Sequence, residues 1–158
     1  KEGSLHAEVS EGIHAYGVSS HRHTPEIEQG LSEAAGRPVE VTFTPHLVPM
    51  NRGILATIYV RSQGGAGASD LHDALARAYA GEPFARVLPF KSLPATRHVR
   101  GTNLCLMAVH PGRRPDQAIL LSVTDNLVKG AAGQALQNMN LMLDLEETSG
   151  LSQAPIFP

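Results

Sequence analysis

The sequence predicts an α+β domain: a mixed, largely antiparallel sheet with helices packed on one face. Three observations carry that reading. Four short runs, bounded by turn residues, are either nearly all apolar or alternate apolar with polar residues, as strands do. Three longer segments repeat their apolar residues at helical spacing. The elements follow one another as helix, strand, strand, helix, strand, strand, helix, an order that lays helices over a largely antiparallel sheet.

The first helix spans residues 25–35, with Ile27, Leu31 and Ala34 on one stripe; Thr24 is the expected N-cap and Pro25 the first helical residue. Val39, Val41 and Phe43 then alternate with Glu40, Thr42 and Thr44, a strand with one wet face. Residues 54–60 (ILATIYV) are nearly all apolar and read as a strand covered on both faces. The GGAGAS stretch at 64–69 is a flexible surface loop, since it matches neither phosphate-cradling glycine pattern. Leu71, Leu75, Ala78 and Tyr79 place a helix over 70–80, stopped by Gly81. Residues 104–109 and 118–123 are short apolar strands covered on both faces, and the Pro111-Gly112-Arg113-Arg114-Pro115 turn between them suits an antiparallel pair. A last helix covers 131–143, with Ala132, Leu136, Met139 and Leu143 in line.

Composition narrows the function classes. A chain of 158 residues, 42% hydrophobic and 18% charged, has the length and apolar content of one globular domain rather than a disordered segment. Thirteen Lys and Arg against fifteen Asp and Glu leave a net charge of -2, so no positive field draws it to nucleic acid or to anionic lipid. A single cysteine excludes an internal disulfide framework, and no apolar run approaches the roughly 18 residues that span a bilayer. Residues 1–10 lack the apolar core of a signal peptide, and a reducing cytoplasm is the expected compartment.

The densest chemically capable cluster is 16–26, YGVSSHRHTPE. His21 and His23, two apart, share a side if that stretch is extended. His23 also falls at the start of the first helix, where the dipole disfavours an added positive charge and favours an anionic ligand; a neutral imidazole there is suited to general acid/base work. Solvated loop histidines are an equally good account of the spacing alone. His-x-His could offer two metal-binding nitrogens, but no third ligand follows at recognisable spacing, so no metal site is expected. Arg52, at the end of the proline-bounded link 45–53, is a candidate clamp for a carboxylate or phosphate, or else a structural arginine bonding loop carbonyls. Cys105 lies inside an apolar strand and is a poor nucleophile. The turn 125–134 (DNLVKGAAGQ) carries small residues into its helix, which permits close approach of a flat ligand or tight helix packing.

Three motifs, HRHTPEIEQ at 21–29, FTPHLVPMNRGILAT at 43–57 and DNLVKGAAGQALQNMNLM at 125–142, resemble N-acetyl-gamma-glutamyl-phosphate reductase, of the semialdehyde dehydrogenase group. With the ending at 150–158, the resemblance covers nearly the whole chain. It implies an NADPH-dependent reduction of an acyl phosphate in arginine biosynthesis, through a cysteine thioester, to N-acetylglutamate semialdehyde and phosphate. The family's N-terminal Rossmann domain, with the cofactor loop and the nucleophilic cysteine, has no counterpart here. Residues 1–158 therefore resemble the substrate-binding and dimerisation domain, and the resemblance implies that this polypeptide alone is inactive and that NADP is bound mainly by the missing domain. It implies that the catalytic histidine is His23, with His21 second; that Tyr16 and Arg52 hold the small acyl-phosphate substrate; and that Asn126, Lys129, Gly130 and Ala131 lie beside the nicotinamide. It also implies a homo-oligomer through the sheet. The alternatives are a reductase of N-acetyl-aminoadipyl phosphate in lysine synthesis, sharing these motifs, and a non-catalytic binding module built on His21 and His23.

Overall fold

The computed structural model describes residues 10–156; the reading of residues 1–10 as free of a leader, and the last two residues of the closing motif, lie outside them almost entirely or wholly. The backbone divides into two compact units, parting between Asn51 and Arg52.

The first unit holds β1 (His14–Ala15), α1 (Thr24–Ala35) and β2 (His46–Leu47), with β1 and β2 paired antiparallel. α1 begins one residue earlier than expected. His23 is the N-cap, with no side-chain capping bond, and Thr24 is already helical, while Pro25 remains in the first turn, where an amide N–H is not needed. Left-handed Gly36, at φ 64°, closes the helix, its N–H donating to the Glu33 carbonyl and that of Arg37 to Ser32. The strand expected over 39–44 does not form. The Val39 N–H donates to Ser32 Oγ at 2.8 Å and the Val41 N–H to Glu28 Oε1 at 3.1 Å, so side chains of α1 take the amides a neighbouring strand would have used. Alternation in hydropathy says nothing of where the backbone amides find their hydrogen-bond partners.

The second unit is a four-stranded mixed sheet in the order β3-β6-β5-β4, built from β3 (Ile54–Arg61), β4 (Ala85–Val87), β5 (Cys105–Pro111) and β6 (Gln117–Thr124). β3 and β5 both run antiparallel to β6, and β4 lies parallel to β5. The α+β class and the hairpin turn after β5 are as expected. α2 (Ala68–Ala78) starts early because the Asp70 carboxylate accepts the Gly67 N–H at 2.7 Å, and its Leu71 and Leu75 pack with Val60, Phe90 and Leu120 on buried Ala68, Val109 and Ala118. On the opposite side of the pleat Leu106 and Val123 pack with Val99, Leu88 and Leu104. The inner strands β5 and β6 are thus covered on both faces. β3 is not: it is an edge strand, and Ile54, Leu55, Ile58 and Tyr59 are 44–77% exposed.

The last helix departs most from expectation. It opens with a π-helical turn (Val128–Ala132), whose amide of Ala132 reaches back five residues to Leu127, and continues as α3 (Gly133–Met142). The side it buries is Gly133, Gln137 and Asn140, whereas Ala132, Met139 and Leu143 of the expected apolar stripe are exposed and Leu136 is half-buried. Asn140 Nδ2 donates to the carbonyls of Glu147 and Ser149, so the inward polar face is hydrogen-bonded rather than stranded. Among the described residues no helix is long and apolar enough to cross a membrane.

Candidate functional site

In the first unit the chain from Gly17 to His23 is a series of turns, not the extended stretch expected, yet it does bring the two histidines together. The His21 ring is the centre of the cluster, edge-on to Tyr16 at 5.4 Å, His23 at 4.9 Å and Phe43 at 5.3 Å between centroids. Its Nδ1 accepts the backbone N–H of His23 at 3.2 Å. That bond makes Nδ1 an acceptor, so a neutral His21 carries its proton on Nε2 and presents a donor. The His23 ring is exposed and has no hydrogen bond among the described residues. Either of its nitrogens can therefore take or give a proton. Gly17 is required here: at φ 57° it occupies the left-handed region, and a Cβ would stand 3.0 Å from His21 Cδ2. Tyr16, partly exposed, is fixed through its N–H on the Pro45 carbonyl at 3.1 Å. Among the described residues no group of three or more His, Cys, Asp or Glu is placed to hold a metal ion.

In the second unit, Arg52 and Gly130 meet a residue that the sequence reading passed over. Asp125, at the end of β6, is wholly buried. Its Oδ1 accepts the N–H groups of Leu127 at 2.8 Å and Val128 at 3.1 Å; its Oδ2 accepts Gly101 N–H at 2.6 Å and Arg52 Nη1 at 3.3 Å. Burial pushes this carboxyl up, but the three amides and the Arg52 charge outweigh burial and hold it below the ordinary value. Arg52 is thus anchored on a carboxylate rather than on the loop carbonyls considered above, and its side chain remains 28% exposed. Beside it, Asn126 Oδ1 accepts the Gly53 N–H at 2.6 Å. The missed signal was an Asp between a strand end and a helix start, where its oxygens meet the unpaired amides of the coming turn.

Lys129 turns inward: Nζ donates to Gln137 Oε1 at 2.8 Å and sits 5.7 Å from the centre of the Phe84 ring. Burial lowers its pKa, against the opposing pull of Cys105, Glu147 and Glu82. Gln137 in turn accepts from Asn103 Nδ2 at 2.9 Å and donates to Glu147 at 2.6 Å. Gly130 donates to the Asp125 carbonyl at 3.0 Å, and Ala131 is exposed on the π turn. Cys105 is half-buried, its Sγ 3.4 Å from Ser122 Oγ.

Comparison with known proteins supplies the context for this geometry. The family model of the semialdehyde dehydrogenase dimerisation domain matches residues 1–126. N-acetyl-gamma-glutamyl-phosphate reductase of Rhodospirillum rubrum is 65% identical over 158 residues, covering 100% of this chain and 45% of that protein. The enzyme of the same name from Roseobacter denitrificans is 55% identical over 159 residues, with 100% and 45% covered. The chain spans a little under half the length of these curated relatives. Among solved structures, aspartate semialdehyde dehydrogenase from Francisella tularensis superposes with a TM-score of 0.65 at 13% identity, over 85% of this chain and 40% of that one. Aspartate semialdehyde dehydrogenase II from Vibrio cholerae gives 0.61 at 21% identity, over 78% and 37%. At these identities the structural likeness shows a shared fold.

Proposed function

The chain belongs to the semialdehyde dehydrogenase dimerisation-domain family, and from that premise we propose that it is the substrate-binding and dimerisation domain of an NADP-dependent reductase acting on N-acetyl-gamma-glutamyl phosphate. The observation that carries the reading is the 65% identity to the Rhodospirillum rubrum reductase along the whole chain. The histidine cluster supports it chemically. Reduction of an acyl phosphate through a thioester needs a group that takes the thiol proton as the nucleophile attacks, and another polar group to hold the acyl oxygen. His23, exposed and with both ring nitrogens open, suits the proton transfer, and His21, its Nδ1 occupied, offers a fixed Nε2–H donor beside it.

NADP, when bound, supplies the hydride; a partner domain is the source of its main contacts and of the nucleophilic cysteine. From this chain Asn126, Lys129, Gly130 and Ala131 are assigned to the nicotinamide side, and Tyr16 and Arg52 to the substrate. Lys129 takes that role only by leaving Gln137, on which it now rests. The half-exposed apolar residues of β3 support assembly of two copies through the sheet.

The test is phosphate-dependent reduction of NADP by N-acetylglutamate semialdehyde, run with the full-length enzyme. His23→Ala is expected to lower turnover by about 10²- to 10⁴-fold, the worth of a positioned acid/base. An unimpaired His23→Ala enzyme beside a crippled His21→Ala one moves the role to His21. Absence of any turnover by the wild type refutes the reaction, and a higher kcat/KM with the aminoadipyl homologue reassigns the substrate.

A further inference from the structure

We propose that Asp125 is a positioning residue for substrate binding: it holds the guanidinium of Arg52 in place for the anionic group of the acyl phosphate. The inference rests on the substrate role of Arg52 given above and adds to it the residue through which that role is exercised. Asp125 has no exposed surface, and its two oxygens accept four donors from three separate stretches of chain. Three of those donors are backbone amides, so the carboxylate is immobile before Arg52 reaches it. Arg52 Nη1 then docks on Oδ2 at 3.3 Å, while the rest of a guanidinium with five donors stays available on a side chain 28% exposed.

The backbone end of the arginine is held as well. The Gly53 N–H is fixed on Asn126 Oδ1 at 2.6 Å, and at φ 116° Gly53 packs so closely on Thr96 that a Cβ would lie 2.8 Å from it. The Arg52 guanidinium and the peptide that follows Arg52 are therefore tied to the neighbours Asp125 and Asn126. A free arginine gives up much rotamer freedom on gripping an anion; one already tethered has little left to lose and binds more tightly for the same contacts. Asparagine is no substitute for Asp125. Both carboxylate oxygens face N–H donors, so an amide NH2 on either side would meet a donor with a donor.

The experiment is steady-state kinetics of the full-length enzyme with Asp125→Asn, Arg52→Met and the double variant, reading the KM for acyl phosphate apart from kcat. Arg52→Met is expected to raise that KM, and Asp125→Asn to raise it about tenfold with a smaller change in kcat, within the range for residues sharing one hydrogen-bond network. In the Arg52→Met background, Asp125→Asn should add nothing to the acyl-phosphate KM. Independent, multiplicative KM effects overturn the proposal, as does a Asp125→Asn enzyme that has lost only thermal stability. If Asp125→Asn does not fold, Asp125→Glu, which keeps the charge but displaces it, takes its place: a raised acyl-phosphate KM there supports the proposal, and an unchanged KM there or in Arg52→Met overturns it. A wild-type enzyme with no acyl-phosphate turnover refutes the function itself, an outcome distinct from an active wild type with an indifferent Arg52.

Discussion

Gly133→Ala should destabilise this protein, although the same change in an ordinary helix interior stabilises by up to about 1 kcal/mol. An added Cβ would lie 2.4 Å from Asn103 Oδ1, 2.7 Å from Val128 Cγ1 and 2.8 Å from the Val128 carbonyl oxygen, all well inside contact distance. None of the three can step aside easily. Asn103 is wholly buried and its Nδ2 is bonded to Gln137, so turning it away breaks a buried hydrogen bond, a loss of about 1–3 kcal/mol. Val128 belongs to the π turn, and its carbonyl accepts the Gly133 N–H itself. Overpacking of this kind costs about 1–3 kcal/mol. Set against the propensity gain, the net loss is about 2 kcal/mol, or a fall in Tm of roughly 4–8 °C for a chain of this size. The assay is thermal and urea unfolding of the 158-residue chain followed by circular dichroism. Asn103→Ala removes the oxygen that is struck, so Gly133→Ala should be milder in that background by at least about 0.5 kcal/mol. An Ala variant as stable as the wild type, or more so, refutes the reasoning.

Two other outcomes follow from the same geometry. Asp125 is held below its ordinary pKa of 3.8 in the folded chain, so its contribution is complete above the unfolded value and is lost as pH falls through it toward the folded one. The stability difference between wild type and Asp125→Asn should therefore be flat from neutral pH down to about 5 and shrink below about 4; a difference unchanged at pH 3 would show that the carboxylate charge is not what matters. Tyr59 is 77% exposed on the edge strand, and Tyr59→Glu should convert a dimer to monomer in light scattering without altering the circular dichroism. A dimeric Tyr59→Glu protein would place the interface elsewhere.

The sheet was legible because its inner strands satisfy a local rule. Residues 104–109 are apolar throughout and 118–123 are apolar but for Ser122, and buried residues such as Leu106, Val109, Ala118 and Val123 duly lie on both faces. The same rule misjudged 54–60, for a nearly continuous apolar run also describes an edge strand with apolar residues left exposed. It could not separate 39–44 from a ladder, because the amides of Val39 and Val41 are satisfied by side chains that hydropathy does not register. β4 is three residues long, too short to carry a period at all.

The candidate site divides along the same line. His21 and His23 were visible because they are neighbours in the chain, and a turn instead of an extended stretch still brings their rings together. The Asp125 hub was not, since its partners Gly101 and Arg52 lie 24 and 73 residues away, and nothing local to Asp125 names them. α3 shows why apolar period alone gives a helix its existence but not its facing. Ala132, Leu136, Met139 and Leu143 define a stripe, yet the chain buries Gly133, Gln137 and Asn140, whose polar atoms meet Asn103, Lys129 and the 147–149 carbonyls. Turning the helix to bury the stripe would leave Asn103 Nδ2 and the half-buried Lys129 ammonium without their acceptor, a penalty of about 1–3 kcal/mol for each neutral group and more for a charge. That penalty is comparable to the gain from covering one or two aliphatic side chains, about 1.5–3 kcal/mol each. Hydrogen bonding thus offsets what the apolar stripe would gain by turning inward, and Met139, Met142 and Leu143 stay 45–83% exposed.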